Sequence, residues 1–300
     1  MKTSPFIGWA FILPAAVLLA VYLLYPTVLT IRMSLDTGQG FRLSEFIGLR
    51  NFVNLFTKDR FFFDVSRWPP RGALFNTALW VALFTLGTVG IGLLVAVLAN
   101  TVRYEVLIKT IIFMPMAISF TAAGIIWRFV YSPDPKIGVL NALLMAFVPG
   151  ADPVPWLGRT SLVNYAVIFA GVWIWTGFAM VVLSAAIKGL PKDVLEAASI
   201  DGASGWDTFW RVMMPMIWPT VVVVGTTMII NVLKAFDLVY VMTQGGPRGA
   251  SRIIGYTMYV ETFTNGRAGY GSAVAVIMLI LIIPFLIMNL RRFRAEGRSL

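Results

Sequence analysis

Residues 160–187 read TSLVNYAVIFAGVWIWTGFAMVVLSAAI, a run of 28 positions without Asp, Glu, Lys or Arg. A helix of roughly 20 apolar residues crosses the hydrocarbon core of a bilayer, which is about 30 Å thick. A helix also satisfies its own backbone hydrogen bonds, and each one left open in lipid costs several kcal/mol. The run therefore predicts a transmembrane helix.

Five further uncharged runs are spread along the rest of the chain. Apolar side chains make up 58% of the 300 residues and charged ones 13%, far from the balance of a soluble domain. The pattern predicts an all-α membrane protein with six transmembrane helices, in which residues 1–300 form a single domain. The predicted spans cover residues 6–31, 74–102, 110–130, 162–187, 212–234 and 269–290.

The sequence contains neither cysteine nor histidine. This excludes disulfide bonds, thiolate or imidazole metal sites, and catalysis by a Ser-His or Cys-His pair. We therefore expect the chain not to be an enzyme and to bind no metal or cofactor. The formal charge of +10 comes from Lys and Arg scattered between apolar runs, which favours lipid headgroups over nucleic acid as partners.

The basic tail predicts the orientation. An even number of spans places both termini on one side, and Arg291, Arg292, Arg294 and Arg298 directly follow the last span, which indicates the cytoplasm. The first apolar run is about twice the length of a signal-peptide core, so a retained helix is favoured over a cleaved leader.

Two apolar segments lie outside the predicted spans. Residues 137–151 are too short to cross the bilayer and predict an interfacial helix. The long first loop, residues 32–71, contains Phe61, Phe62 and Phe63 and is expected to fold against the outer surface.

The loop between the fourth and fifth predicted spans, residues 189–202, reads GLPKDVLEAASIDG. Pro191 suits the start of a helix, Glu196 complements the positive end of its dipole, and Gly202 can adopt the left-handed backbone that ends it. A second short helix is expected over residues 205–213.

The residues alone leave two interpretations of this helical segment open. A connection between two spans needs few residues, so a longer structured one indicates a partner surface, and the small Ala197 and Ala198 allow close approach to a groove. Alternatively, the segment lies on the membrane surface.

The spacing within this loop resembles a family signature. Residues 196–198 read Glu-Ala-Ala, Gly202 follows after three further residues, and Pro215 ends the pattern. This resembles the E-A-A, three residues, G, nine residues, I-x-L-P signature of inner-membrane permeases of bacterial ATP-binding-cassette importers. Val212 and Met214 conservatively replace the Ile and Leu.

The resemblance extends over essentially the whole chain. Residues 241–247, VMTQGGP, look like the carbohydrate-uptake branch of the family, of the maltose, glycerol-phosphate and glucoside type. The resemblance implies a permease subunit that forms half of a pathway for sugars or sugar-like solutes.

The resemblance also implies partners and coupling residues. The short helix would be a coupling helix that docks into a separate cytoplasmic ATPase, present in two copies, which would hold the ATP and Mg. This chain has no G-x-x-x-x-G-K-[ST] phosphate loop. A second similar permease, an extracytoplasmic solute-binding protein and a bacterial inner-membrane location are further implied. The coupling residues would be Glu196, Ala197, Ala198, Asp201, Gly202 and Pro215.

Polar and aromatic side chains within or beside the spans are candidates for a substrate pathway. Polar groups are costly in lipid unless they face protein or water, and a sugar requires hydrogen-bonding groups and flat rings. Helix packing and the interfacial aromatic belt are the alternative roles. The candidates are Asn231, Thr227, Trp173, Trp175 and Asp237.

Two other sets of residues favour structural roles. Lys234 and Asp237 have the spacing of an interfacial ion pair at the end of the fifth span. Gly87, Gly90 and Gly92 suit close packing of helices within the second span.

Two rival functions remain for comparison. An ion-gradient-driven secondary transporter would be expected to have intramembrane carboxylates, and the six uncharged runs have none. A membrane-embedded transferase would need clustered acids or histidines, whereas the acids here are dispersed among loops.

Overall fold

The computed structural model describes residues 5–40, 42–66 and 68–296, with side chains described between residues 11 and 291. In these ranges all the regular structure is helical, and extended segments form only isolated bridges in the first loop. The predicted all-α membrane class is confirmed. Below, the inner side is the side predicted to face the cytoplasm, and the outer side is the opposite one.

Five long apolar helices and one bent pair lie at the positions of the predicted spans. Span 5 begins seven residues before its predicted start (212 − 205), because a π-helical stretch joins the second short helix to it without a break. Span 1 is Pro5–Leu19, a π-helical turn at Ala20–Leu24, and Tyr25–Ser34; span 2 is Ala73–Ala99; span 4 is Val163–Lys188; span 5 is Gly205–Asp207, a π-helical stretch at Thr208–Met213, and Met214–Leu233; span 6 is Ala268–Glu296.

Span 3 is bent sharply in its middle. It consists of Glu105–Phe113, a 3-10 turn at Met114–Ala117, and Phe120–Val130, with an angle of 103° between the two halves. The break coincides with Pro115, which lacks the N–H that a continuing α-helix uses. Ser119 then starts the second half, because its hydroxyl accepts a hydrogen bond of 3.2 Å from the backbone N–H three residues later.

The ends of span 3 reach opposite ends of span 4. The Glu105 carboxylate lies 2.5 Å from Lys188 Nζ, and the Tyr131 hydroxyl donates a 3.0 Å hydrogen bond to the Ala166 carbonyl. Lys188 and Ala166 are 22 residues apart in one helix (188 − 166), or about 33 Å. The bent pair therefore covers the depth of a bilayer and serves as one span.

Spans 2, 4 and 5 enclose the main core. Trp80 and Phe84 of span 2 are almost fully buried, as are Met180 and Leu183 of span 4 and Met228 of span 5. Span 1 contacts the rest of the chain through its second half, which lies along span 6. The side chains of residues 11–26 are all exposed.

The three glycines of span 2 differ in their surroundings. A methyl group on Gly92 would lie 2.6 Å from Ala179 Cβ, and one on Gly87 would lie 3.2 Å from the Val172 side chain. Both are close-packing positions, as predicted. The prediction was wrong for Gly90, which is exposed and has nothing within 4 Å of a Cβ position, because it faces away from span 4.

Short helices connect the spans. The first loop packs against span 6, because Phe62 is fully buried in a cluster that includes Ile254 and Val274. Its place at the outer surface stays a prediction. A short helix is present within residues 137–151, although its place at a membrane interface stays a prediction. The short helices are Arg50–Thr57, Val139–Phe147, Lys192–Ile200, Asp237–Met242, and Ile254–Tyr259 with its π-helical continuation Val260–Thr264.

Candidate functional site

The predicted short helix between spans 4 and 5 is present as Lys192–Ile200. It ends at a left-handed glycine, because Gly202 has a φ of +77°. The Gly202 N–H donates to the Ser199 carbonyl at 3.1 Å, and the Ala203 N–H donates to the Ala198 carbonyl at 3.0 Å. These two bonds form a Schellman motif, in which glycine is the least strained residue. The predicted helix end is confirmed.

The elbow, residues 191–204, has no buried side chain. Leu195 and Ala198, three positions apart, are half-buried and face the helical stretch that follows. Glu196 and Ile200 are exposed, with 85% of Ile200 accessible. The elbow therefore has a fixed backbone and an open outward surface.

The predicted coupling residues do not all lie on this surface. Ala198 is half-buried, and Pro215 lies apart from the elbow, near the start of Met214–Leu233 in span 5. The coupling role of all six residues stays a prediction. The exposed members within the elbow are Glu196, Ala197, Asp201 and Gly202.

Five polar residues join spans 2, 3 and 4 just before the elbow, and we term them the inner polar cluster. Glu105 pairs with both Lys109 and Lys188. Lys109 Nζ donates to Asn100 Oδ1 at 2.8 Å and also contacts the Ser184 hydroxyl. That hydroxyl donates to Asn100 Oδ1 at 2.8 Å. Because Lys188 precedes the elbow by only a few residues, the cluster links the base of the elbow to spans 2 and 3.

A cavity of about 180 Å³ lies at the outer end of span 5. Three of the five predicted pathway residues, Asn231, Trp175 and Asp237, line it together. Five of the eleven lining residues are aromatic. Besides the three predicted residues, the lining includes Trp80, Phe84, Phe120, Lys234 and Phe236.

The aromatic walls of the cavity are held by specific contacts. Phe120 and Trp175 stack with their ring centroids 6.0 Å apart and their planes 26° apart. The Trp80 indole N–H donates a 3.2 Å hydrogen bond to Asn164 Oδ1, which fixes the orientation of the ring. Flat ring faces and a half-buried amide at Asn231 are thus presented to the same space.

Lys234 and Asp237 do not form the predicted ion pair. In the described part of the chain no ion pair joins them, and both side chains are exposed at the cavity. Span 5 ends at Leu233 and a new helix begins at Asp237. The two residues therefore lack the shared helix face that their spacing would otherwise provide.

Two predicted pathway residues lie outside the cavity lining. The Thr227 hydroxyl donates a 2.9 Å hydrogen bond to the Val223 carbonyl one turn earlier in its own helix. Trp173 packs edge-to-face against Trp127, with ring centroids 5.6 Å apart. Their role in a pathway stays a prediction.

Two asparagines hold the loop segment at residues 250–252 beside the cavity. Asn76 Nδ2 donates to the Ala250 and Arg252 carbonyls at 2.9 and 2.7 Å. Asn164 Nδ2 donates to Asn76 Oδ1 and to the same Ala250 carbonyl, at 3.1 and 2.7 Å. Because Asn164 also orients Trp80, we term Asn76 and Asn164 the outer clamp.

Several cavity residues were not predicted from the sequence. Trp80, Phe84 and Phe120 belong to spans whose apolar side chains leave the inward face undefined. Phe236 had a weak local signal, since it directly precedes Asp237 at the end of a span.

Six membrane-crossing segments, an exposed structured elbow and a cavity beside the outer end of span 5 define a membrane transport component. The described residues contain no cluster of three metal-ligating side chains. The chain belongs to the family of binding-protein-dependent transport system inner membrane components, whose model matches residues 72–292. This membership favours an importer permease over the ion-gradient-driven carrier and the transferase.

Two curated relatives match along almost the whole chain. The osmoprotective compounds uptake permease protein GgtC of Synechocystis sp. is 46% identical, over 96% of this chain and 99% of the relative. The alpha-glucoside transport system permease protein AglF of Rhizobium meliloti is 39% identical, over 96% of this chain and 83% of the relative.

A solved structure supports the fold. The chain resembles a chain of a bacterial ABC transporter involved in import of the acidic polysaccharide alginate, with a TM-score of 0.79 and 23% identity. The match covers 96% of each chain. At this identity the likeness concerns the fold alone.

Proposed function

We propose that the chain is a permease subunit of an ATP-driven importer for sugars or sugar-like solutes, within the class of oligosaccharides, glucosides and glycerol phosphates. The observation that carries the proposal is the cavity beside Asn231, with its aromatic walls. A sugar ring has an apolar face that stacks on aromatic rings and hydroxyls that bond to an amide. Relatives named for uptake of α-glucosides, lactose and trehalose/maltose support the same class.

The charges at the cavity favour a neutral sugar within this class. Lys234 and Asp237 carry opposite charges, which cancel formally. A phosphorylated solute would be better matched by an excess of cationic donors, which form strong charge-assisted hydrogen bonds with phosphate. We therefore favour a glucoside over a glycerol phosphate.

A second permease chain would complete the pathway. The cavity of about 180 Å³ is smaller than the roughly 300 Å³ at which pockets for drug-sized ligands begin. The exposed apolar residues 11–26 leave further surface for lipid or another chain. This chain would thus form half of the translocation pathway, paired with a similar subunit.

A separate cytoplasmic ATPase, in two copies, would supply the energy through the elbow and hold the ATP and Mg. The exposed outward face of the elbow and its fixed helix end support this role. An extracytoplasmic solute-binding protein would deliver the sugar. The chain would reside in the bacterial inner membrane with both termini in the cytoplasm.

Uptake by the reconstituted importer tests the proposal. Tagged chain is expected to co-purify with an ATPase and a second permease, and to move a radiolabelled neutral disaccharide into proteoliposomes with ATP inside. The variant Asn231→Leu should reduce uptake about tenfold, since it removes the hydrogen-bonding amide. The control Asn289→Leu makes the same change in span 6, away from the cavity, and should retain uptake. Uptake unaffected by Asn231→Leu would contradict the assigned cavity.

A further inference from the structure

A row of aromatic rings continues from the cavity toward the outer surface. Phe236, which lines the cavity, lies 4.6 Å from Tyr259 between ring centroids. Tyr259 lies 5.4 Å from Tyr240 and 5.3 Å from Phe263. These four residues form one continuous set of ring contacts, which we term the aromatic ladder.

Two short helices build the ladder from residues four positions apart. Phe236, the residue before Asp237–Met242, stacks on Tyr240 of that helix with ring centroids 5.1 Å apart. Tyr259 and Phe263 provide the other side, where Ile254–Tyr259 continues as a π-helix. Phe236 and Tyr259 are half-buried, whereas 41% of Tyr240 and 58% of Phe263 are exposed. The ladder therefore runs from the cavity wall to the surface with increasing exposure.

Polar residues flank the ladder at both ends. The exposed Lys234 and Asp237 lie at its cavity end. Near its outer end, residues Asn265 and Arg267 line an open cleft of about 680 Å³. Exposed charges are costly against lipid tails. The flanking charges therefore favour a position of the ladder next to water over one next to the lipid tails.

Tyrosine hydroxyls add hydrogen-bonding groups along the rings. A hydrogen bond with Tyr240 raises the pKa of Tyr259, and burial raises the pKa of Tyr256 next to the ladder. These hydroxyls therefore stay protonated at neutral pH and can both donate and accept hydrogen bonds.

We propose that the aromatic ladder is a sugar-binding track that carries a pyranose ring from the outer surface to the cavity, resting on the proposed function above. The C–H face of the sugar stacks on successive rings while its hydroxyls exchange hydrogen bonds with Tyr240 and Tyr259. Several weak sites in series suit transit, because each must hold the sugar and then release it.

The ratio of sugar transported to ATP hydrolysed, measured in the assembled importer, tests the track. Proteoliposomes receive saturating solute-binding protein and one of four radiolabelled probes: maltose, trehalose, sucrose or lactose. Tyr240→Leu and Tyr259→Leu should each lower the ratio about threefold, and the double variant about tenfold, because stacking surface is lost. The control Tyr165→Leu removes an exposed tyrosine of span 4 outside the ladder and should leave the ratio unchanged.

A conservative variant separates the ring from its hydroxyl. Tyr259→Phe keeps the stacking surface and should stay within about twofold of the wild-type ratio. A loss as large as that of Tyr259→Leu would overturn stacking as the cause. If Tyr259→Leu prevents assembly, the more exposed Tyr240→Leu decides the question with the same readout.

The outcomes distinguish this proposal from the proposed function. A wild-type importer that moves a probe sugar, together with a double variant that moves it equally well per ATP, would overturn the track alone. A wild-type importer that hydrolyses ATP but moves none of the four sugars would overturn both.

Discussion

The two ends of the helical bundle are built in opposite ways. At the inner end the elbow has a defined backbone but buries none of its side chains, and Ile200 is 85% exposed. At the outer end the clamp residues Asn76 and Asn164 hold the loop at Ala250 through several hydrogen bonds. The clamp pairs its amide groups within the chain, whereas the elbow leaves a shaped surface open.

This difference indicates where the chain requires another molecule. Buried polar groups that are all paired make a segment self-sufficient. A rigid segment with an exposed face is instead suited to a partner, because little ordering entropy remains to be lost on binding. We therefore expect substitutions in the elbow to affect association, and substitutions in the outer clamp to affect stability.

Charge reversal at Glu196 should have the largest effect. The side chain is exposed and has no hydrogen bond or ion pair within the described chain, so Glu196→Lys should spare the fold. Association with the ATPase should weaken roughly a hundredfold or more, because the proposed docking face would present a cation where it now presents a carboxylate. Co-purification from detergent measures this. The matched reversal Asp152→Lys, in an exposed outer loop, should retain the ATPase.

The backbone conformation of Gly202 should have the second-largest effect on ATPase binding. Nothing lies within 4 Å of a Cβ at this position, so only its φ of +77° restricts the side chain. Gly202→Val should weaken ATPase binding about tenfold, whereas Gly202→Asn should have a smaller effect, because Asn tolerates the left-handed region. Equal affinities for the two variants would show that the turn does not set the docking geometry.

The inner polar cluster should affect coupling more than assembly. Glu105→Gln removes the charge that holds Lys109 and Lys188 together. Transport per ATP should fall on the order of tenfold, a typical size for coupling between sites. Glu45→Gln is the control, since it makes the same change at an exposed side chain of the first loop. Unchanged transport in Glu105→Gln would make the cluster a packing feature only.

Substitution in the outer clamp should lower stability and leave ATPase binding intact. Asn164→Leu removes the donor to Asn76 Oδ1 and the acceptor for the Trp80 indole N–H. The free energy of unfolding should fall by roughly 1–3 kcal/mol, measured as a lower melting temperature in detergent, with ATPase binding retained. The control Asn54→Leu alters an amide outside the clamp and should melt near the wild type. Loss of ATPase binding would break the contrast between the two ends.

Acidification should produce the smallest effect, in the first loop. Backbone N–H groups of Ser44 and Gly38 donate to the Asp36 carboxylate and hold its pKa below the usual range. The stabilisation is therefore complete above the ordinary carboxyl pKa and is lost as pH falls through the lowered one. The Gly38 and Ser44 amides should keep their protection against hydrogen exchange at neutral pH, relative to the rate of an unstructured peptide at the same pH, and lose it only under strongly acidic conditions. Loss of this protection near pH 6 would contradict the assignment.

Local features of the fold followed from the sequence more readily than distant contacts. Bilayer thickness imposes a length on each uncharged run, and Gly202 ended its helix as local chemistry requires. Pro115 was visible, but the 103° bend depends on packing against span 4. Asn76 and Asn164 are 88 residues apart, and no local pattern pairs them. Predicting the cavity would have required knowing which face of each span points inward, and a largely apolar helix does not define that face.

Accessibility of the elbow to a thiol reagent tests whether the elbow faces the cytoplasm. The chain has no native cysteine, so Ser199→Cys introduces a single thiol. A membrane-impermeant maleimide should label it in inside-out vesicles but not in intact spheroplasts, and bound ATPase should protect it. Asp152→Cys should show the reverse. Labelling of Ser199→Cys in intact spheroplasts would contradict the account, because the elbow could then meet no cytoplasmic motor.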